Sequence, residues 1–253
     1  VRHAAEHGTK YIEVRFAPQL HRERGLSADE AIRHVIRGLK LGERQFGVMA
    51  RAIAICMRHH DEETNLEVIE AASRHCGHGL VAVDLAGNEA AYPASLFRDV
   101  FARAQSYGIP ITIHAGEAAG SDNIAEAVER LGALRIGHGV RAREDAEVLA
   151  LLRDRRIPLE FCPTSNIQTR AVSGWNDYPI REYIEQGLLV TVNTDNPSVS
   201  GTNITNEYRV LAERFGFTLH EIQGLILNGV EAAFLRENEK DQLRQEILAS
   251  GAL

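Results

Sequence analysis

The sequence predicts an α/β fold of parallel strands in a TIM-type (β/α)8 barrel, and three observations carry that expectation. Short β-rich runs alternate with amphipathic stretches along the whole chain, which is the pattern of parallel strands joined by crossover helices. Polar residues follow one strand candidate after another, as in barrels, whose active groups come from several strand ends. No Gly-x-Gly-x-x-Gly follows a strand and no Gly-x4-Gly-Lys-Ser/Thr occurs, so the nucleotide-phosphate folds lose support. The 253 residues match the roughly 250 that one barrel takes, and no linker or composition break divides them. A single domain over 1–253 is expected.

Seven runs of four to ten residues read as strands: Tyr11 to Ala17, Val48 to Met57, Leu80 to Leu85, Ile111 to His114, Arg135 to Val140, Leu159 to Cys162 and Leu189 to Asn193. Each is rich in Val, Ile, Leu or aromatics. The helices between them have readable ends. Ser27-Ala28-Asp29-Glu30 is a capping-box pattern ahead of Ile32, Val35, Ile36 and Leu39 at helical spacing, and Gly47 supplies the stop. The same Ser/Thr-x-x-Glu signature starts helices at Thr64 to Glu67 and at Thr218 to Glu221. Val148, Leu149, Leu151 and Leu152 form an apolar stripe on a helix after the fifth strand.

Composition narrows the class of partner. With 44% hydrophobic and 25% charged residues the chain is an ordinary globular protein. The net charge of -7 arises from 28 Lys+Arg against 35 Asp+Glu, with the basic residues scattered, so nucleic acid and anionic membranes are disfavoured and a small-molecule substrate is expected. Cys56, Cys76 and Cys162 have no paired spacing and read as reduced thiols, which points to the cytoplasm. No apolar run approaches the ~18 residues of a membrane span, and the opening residues have no hydrophobic signal core.

The strand ends carry the candidate chemistry. Arg15 closes the first, Arg58-His59-His60 the second, Asp84 and Gly87 the third, His114 and Glu117 the fourth, His138 the fifth, Thr164-Ser165-Asn166 the sixth, and Asp195-Asn196 the seventh. In Ile111 to Glu117 an imidazole ends a buried strand and a carboxylate follows three residues later. His114 suits zinc ligation and Glu117 proton transfer, although a core His beside a surface Glu reads the string equally well. His138 stands between Gly137 and Gly139, where it serves as a base or orienter of water or sits in a tight turn. Asp195 is either a hard oxygen ligand or the start of an Asx turn before Pro197. Cys56-x2-His59-His60 and His75-Cys76-x-His78 lack matching second pairs and read as structural.

Taken in order, His-Ala-Gly-Glu (114–117), Gly-His-Gly (137–139) and Asn-Thr-Asp (193–195) resemble the zinc-dependent adenosine deaminase family of the metal-dependent amidohydrolase barrels. Asp84-Leu85-Ala86-Gly87-Asn88-Glu89 is similar to that family's Asp-Leu-Ala-Gly-Asp-Glu, and Cys162-Pro163-Thr164-Ser165-Asn166 to its Cys-Pro-x-Ser-Asn. Tyr11 to Pro18 also resembles its Tyr-x-Glu-x-Arg-Phe-x-Pro strand. The resemblance implies hydrolytic deamination of adenosine or deoxyadenosine at purine C6, within purine nucleoside metabolism, with one Zn2+ per chain. His114 and Asp195 would hold the zinc, Asp195 also holding the attacking water. Glu117 would protonate N1, His138 would position and help deprotonate the water, and the Gly87 amide would meet N3. Asn196 replaces a second Asp of the family, and its amide would donate to N7. The family's first strand carries His-x-His, which supplies two more ligands. None occurs before Tyr11, so the expectation is a barrel short of its first strand, about seven of eight, with impaired activity. Free adenine, a modified adenosine nucleoside, or no substrate at all are the alternatives.

Overall fold

The computed structural model describes residues 1–250 and contains all seven strands: β1 (Tyr11–Phe16), β2 (Met49–Met57), β3 (Leu80–Ala86), β4 (Thr112–Ala115), β5 (Arg135–His138), β6 (Leu159–Phe161) and β7 (Val190–Val192). Helices α1 (Arg2–Glu6), α2 (Ala28–Phe46), α3 (Glu62–His75), α4 (Arg98–Ser106), α5 (Ser121–Glu129) and α6 (Ala146–Asp154) alternate with them. The rest are α7 (Pro163–Gln168), α8 (Ile180–Glu185), α9 (Pro197–Ser200), α10 (Ile204–Phe215), α11 (Leu219–Ala232) and α12 (Glu237–Ala249). Among the described residues no helix is long and apolar enough to cross a membrane. Two compact units make up the chain: Val1–His114 with Glu126–Leu134, and Ala115–Ala125 with Arg135–Leu253.

In the first unit β1, β2 and β3 pair in parallel, Tyr11 opposite Met49 and Phe16 opposite Ala54, and a shift between Ala52 and Ile53 resets the register of β2 on β3. Parallel pairing leaves strands covered on both faces, and Ala52, Ile53, Ala54, Leu80 and Val83 are accordingly sealed from solvent. Helix α2 lays Ile32, Ile36 and Leu39 into this core. Ser27 and Glu30 close the expected capping box, and Gly47 ends the helix at φ 69°. The start of α3 differs from the expectation. Its cap is Asp61, whose side chain accepts from the Thr64 amide, so Thr64 is the third helical residue. Asp61-x-x-Thr64 offers the same spacing three residues earlier, and a carboxylate is at least as good a cap acceptor as a hydroxyl.

Asn65, fully buried on α3, then ties helix to strand. Its Oδ1 accepts from the Met57 amide at 2.9 Å and its Nδ2 donates to the Met57 carbonyl at 3.1 Å. This fixes the end of β2, where Arg58 follows.

In the second unit β5, β6 and β7 are parallel, with Ile136 opposite Leu159 and Phe161 opposite Val192. The Phe161 ring packs edge-on against Tyr178 and Tyr183, at 5.4 and 5.3 Å between centroids. A buried ion pair joins β5 to β6, Arg135 Nε to Glu160 Oε1 at 2.5 Å, and the Phe234 ring covers the guanidinium at 4.1 Å. Thr218 and Glu221 form the second expected capping box, on α11. Cys56, Cys76 and Cys162 are free thiols, as their spacing predicts, and burial pushes the Cys56 thiol up.

Replacing Asn65 with Ala leaves the Met57 amide without its side-chain acceptor and takes one of two donors from the Met57 carbonyl, which keeps the His60 amide. The substitution is expected to lower the unfolding free energy by about 2 kcal/mol, read from the urea midpoint at unchanged slope.

Candidate active site

In the first unit the chemistry gathers on the carboxylate of Asp84, which ends β3 without solvent exposure. Arg15 at the end of β1 donates to Asp84 Oδ2 at 3.0 Å, and the His114 Nδ1 lies 3.1 Å from Oδ1. A carboxylate can only accept, so His114 carries its proton on Nδ1 and turns the lone pair of Nε2 away from Asp84. This carboxylate–imidazole pair is the arrangement that prepares a histidine for metal ligation through the other nitrogen.

Arg58, 1% exposed, braces the same segment by donating to the Tyr92 carbonyl at 2.5 Å and the His114 carbonyl at 2.7 Å. Burial pulls its guanidinium below the ordinary value, while the nearby carboxylates of Glu89 and Asp84 oppose that pull. Gly87 passes this point at φ 118°, and a Cβ there would stand 3.4 Å from both the Arg58 nitrogen and its Cβ. The left-handed backbone, more than the space, demands glycine here.

In the second unit Glu117 leaves the end of β4 with each oxygen engaged. Its Oε1 accepts from the Thr169 hydroxyl at 2.9 Å and its Oε2 faces His138 Nε2 at 3.5 Å. His138 is 2% exposed and adopts φ 62°, one of four non-glycine residues with positive φ among the described residues. Its neighbour Gly139, at φ 68°, has its Cα where a Cβ would come within 2.8 Å of Leu159 Cδ2, and its amide donates to the Ala115 carbonyl. The Gly-His-Gly string is thus a strained strand mouth that turns the imidazole inward.

Asp195 is the second strained candidate, at φ 54°, and its Oδ2 accepts from the Ser165 hydroxyl at 2.7 Å. The Asx turn expected before Pro197 belongs to Asn196 instead. Its Oδ1 accepts from the Val199 amide and caps α9.

Three residues that had no role in the sequence reading now have one. Asn166 contacts His138 Nδ1 at 2.9 Å, Ser165 holds Asp195, and Thr169 holds Glu117. All three follow β6 on or just after α7, and Ser165 and Thr169 are four apart, which puts them on one helical face. Their shared strand-end position was the available signal. Helix α7 is itself anchored by Glu207 of α10, a fully buried carboxylate that accepts from the Thr164 amide at 3.0 Å and from the Thr202 hydroxyl. The Cys/His strings set aside as structural have structural contacts. The Cys56 thiol turns to the Asn65 carbonyl, the His59 and His60 rings pack edge to face, and His75 bonds to Asp29.

Comparison with known proteins bears on the family and the fold. The family model described as adenosine deaminase matches residues 1–250. An adenosine deaminase from Enterococcus faecalis is 44% identical over 244 residues, 96% of this chain and 72% of that protein. The solved adenine deaminase from Arthrobacter aurescens superposes with a TM-score of 0.91 at 31% identity, covering 98% of this chain and 76% of that one. A zinc-bound amidohydrolase from Burkhoderia ambifaria shares the fold, at a TM-score of 0.90 and 24% identity over 99% of this chain and 72% of that one. The chain therefore belongs to the adenosine deaminase family, as a hydrolytic deaminase on an α/β barrel fold of the metal-dependent hydrolase kind.

Proposed function

We propose that this chain converts adenosine and deoxyadenosine to inosine and deoxyinosine with release of ammonia. The observation that carries the reading is the pair at the end of β3 and β4, where buried Asp84 holds His114 by Nδ1. It prepares an imidazole for a metal at a strand end of a deaminase fold. The nucleoside is favoured over the free base because identity to the named adenosine deaminase, 44%, exceeds the 31% to the adenine deaminase.

The residues fit zinc in kind. His114 would offer Nε2, and Asp195 a carboxylate held by Ser165, each a donor of a type that zinc accepts. They would be two of the three protein ligands that a catalytic zinc usually takes, and among the described residues no three His, Cys, Asp or Glu side chains gather as a metal cluster. When bound, zinc supplies Lewis acidity, lowering the pKa of water to about 7.

The chain's own residues do the rest. Glu117 protonates purine N1 as the C6–O bond forms, drawing electrons away from the carbon under attack. His138 orients the attacking water, and Asp195 accepts a hydrogen bond from it. The Gly87 amide meets N3, and Asn196 donates from Nδ2 to N7, its Oδ1 being committed to Val199. The proton that water gives up as the C6–O bond forms passes to N6 as the C6–N6 bond breaks, so that nitrogen leaves as ammonia, and the proton of the C6 hydroxyl returns to Glu117 as the carbonyl forms.

Ammonia release from adenosine, deoxyadenosine, adenine and 5′-substituted adenosines tests the substrate. Adenosine and deoxyadenosine are expected to be turned over with the highest kcat/KM, and a preference for free adenine would overturn the assignment. Glu117→Gln keeps the shape and removes the transferable proton, so kcat is expected to fall by about 10²–10⁴ with little change in KM. Zinc content after equilibration with the metal and removal of excess is expected to depend on His114, falling in His114→Ala. Equal zinc in both proteins would remove His114 from the metal site.

A further inference from the structure

The resemblance assigns His138 the task of helping to deprotonate water, which needs an imidazole nitrogen with a lone pair facing the reaction. Hydrogen bonding around Asn166 decides which nitrogen has one. The backbone amide of Cys162, which can only donate, lies 3.3 Å from Asn166 Oδ1. The Tyr178 hydroxyl donates to the same oxygen at 3.1 Å, and its burial holds that hydroxyl protonated well above the ordinary tyrosine range. The amide of Asn166 therefore has one orientation. Flipping it would set Nδ2 against the Cys162 N–H, donor against donor, at a buried position where an unmade bond is costly.

With Oδ1 so fixed, the group 2.9 Å from His138 Nδ1 is the NH2 of Asn166. An NH2 has no lone pair to offer, so Nδ1 must accept. His138 then holds one proton, on Nε2, the nitrogen that faces Glu117 Oε2 at 3.5 Å. Tautomer is set by the hydrogen bond at the other nitrogen. His114 and His138 emerge as mirror cases: a carboxylate puts the proton of His114 on Nδ1, and an amide NH2 puts that of His138 on Nε2.

We infer that Asn166 is a positioning residue that locks His138 in the neutral Nε2–H tautomer, so that His138 serves the reaction as a hydrogen-bond donor and not as a base. The inference rests on the proposed deaminase reading only for its catalytic consequence. Glu117 gives its proton to N1 and thereby becomes a carboxylate. That carboxylate, steadied by the His138 Nε2–H, takes the proton that water loses as the C6–O bond forms. It passes the proton to N6 as the C6–N6 bond breaks. The hydroxyl proton left on C6 returns to Glu117 as the carbonyl forms, so the acid is restored and ammonia and the product are neutral.

The test is nitrogen NMR of the 253-residue chain labelled with 15N-histidine, with Asn166→Asp as the variant. Asp keeps the size and both donors onto its oxygen, from Cys162 and Tyr178, and changes only the face toward His138. The unsubstituted chain is expected to show His138 protonated at Nε2 and bare at Nδ1 at neutral pH. Asn166→Asp is expected to protonate Nδ1 and slow ammonia release from adenosine by about 100-fold or more, the scale of losing an oriented acid–base partner. A protonated Nδ1 in the unsubstituted chain would overturn the assignment, whether or not the variant folds. A protonated Nδ1 in the variant with undiminished ammonia release would overturn its catalytic consequence. Absence of deamination by the unsubstituted chain would count against the proposed function, and the resonance pattern would still decide the tautomer.

Discussion

Parallel pairing is the constraint from which the candidate chemistry follows. When β1, β2 and β3 run in one direction, their C-terminal ends share an edge, and Arg15, Arg58 and Asp84 arrive there from segments far apart in the chain. The same geometry in β5, β6 and β7 brings together His138, the Ser165 and Asn166 pair, and Asp195. Crossover helices supply the burial that parallel strands need on both faces, so each strand end is a rigid platform with a loop attached.

On those platforms each chemistry-bearing side chain is held by a partner that selects one of its states. Asp84 settles the proton of His114, Thr169 engages one oxygen of Glu117, Ser165 engages Asp195, and Val199 settles the amide of Asn196. Such supporting bonds matter because a reactive group that is free to rotate spends most of its time in the wrong geometry. Several of the holders are well buried: Asp84, Ser165 and Asn166 are at most 3% exposed. A buried polar group is costly unless it is bonded, so each holder is itself committed to its contact. Backbone strain is concentrated in the same places, since His138 and Asp195 account for two of the four positive-φ residues that are not glycine.

Legibility of the fold was high because its signals are local. All seven strands fall within a few residues of their expected bounds, since a run of β-branched and apolar residues records burial directly. Two of three capping boxes close as written, at Ser27 and Thr218. The third fails because Asp61 and Thr64 compete at the same three-residue spacing, and which one wins depends on where the end of β2 delivers the chain. Asp195 and Asn196 show the same ambiguity, adjacent residues of similar capping strength of which the second takes the turn.

The amino-acid sequence by itself determined the order of strands and helices, the family, and the identity of the polar residues at the strand ends. These are written in periodicity and in short strings that survive as contiguous text. Tertiary structure alone decided which atom of each residue is available. The proton of His138 is placed by an amide 28 residues away, and that of His114 by a carboxylate 30 residues away. A hydrogen bond between side chains depends on distance and direction, both created only when parallel strands set their ends side by side. No pattern in the linear chain encodes that Cys162 donates its backbone N–H to Asn166, and on that one bond the state of His138 rests.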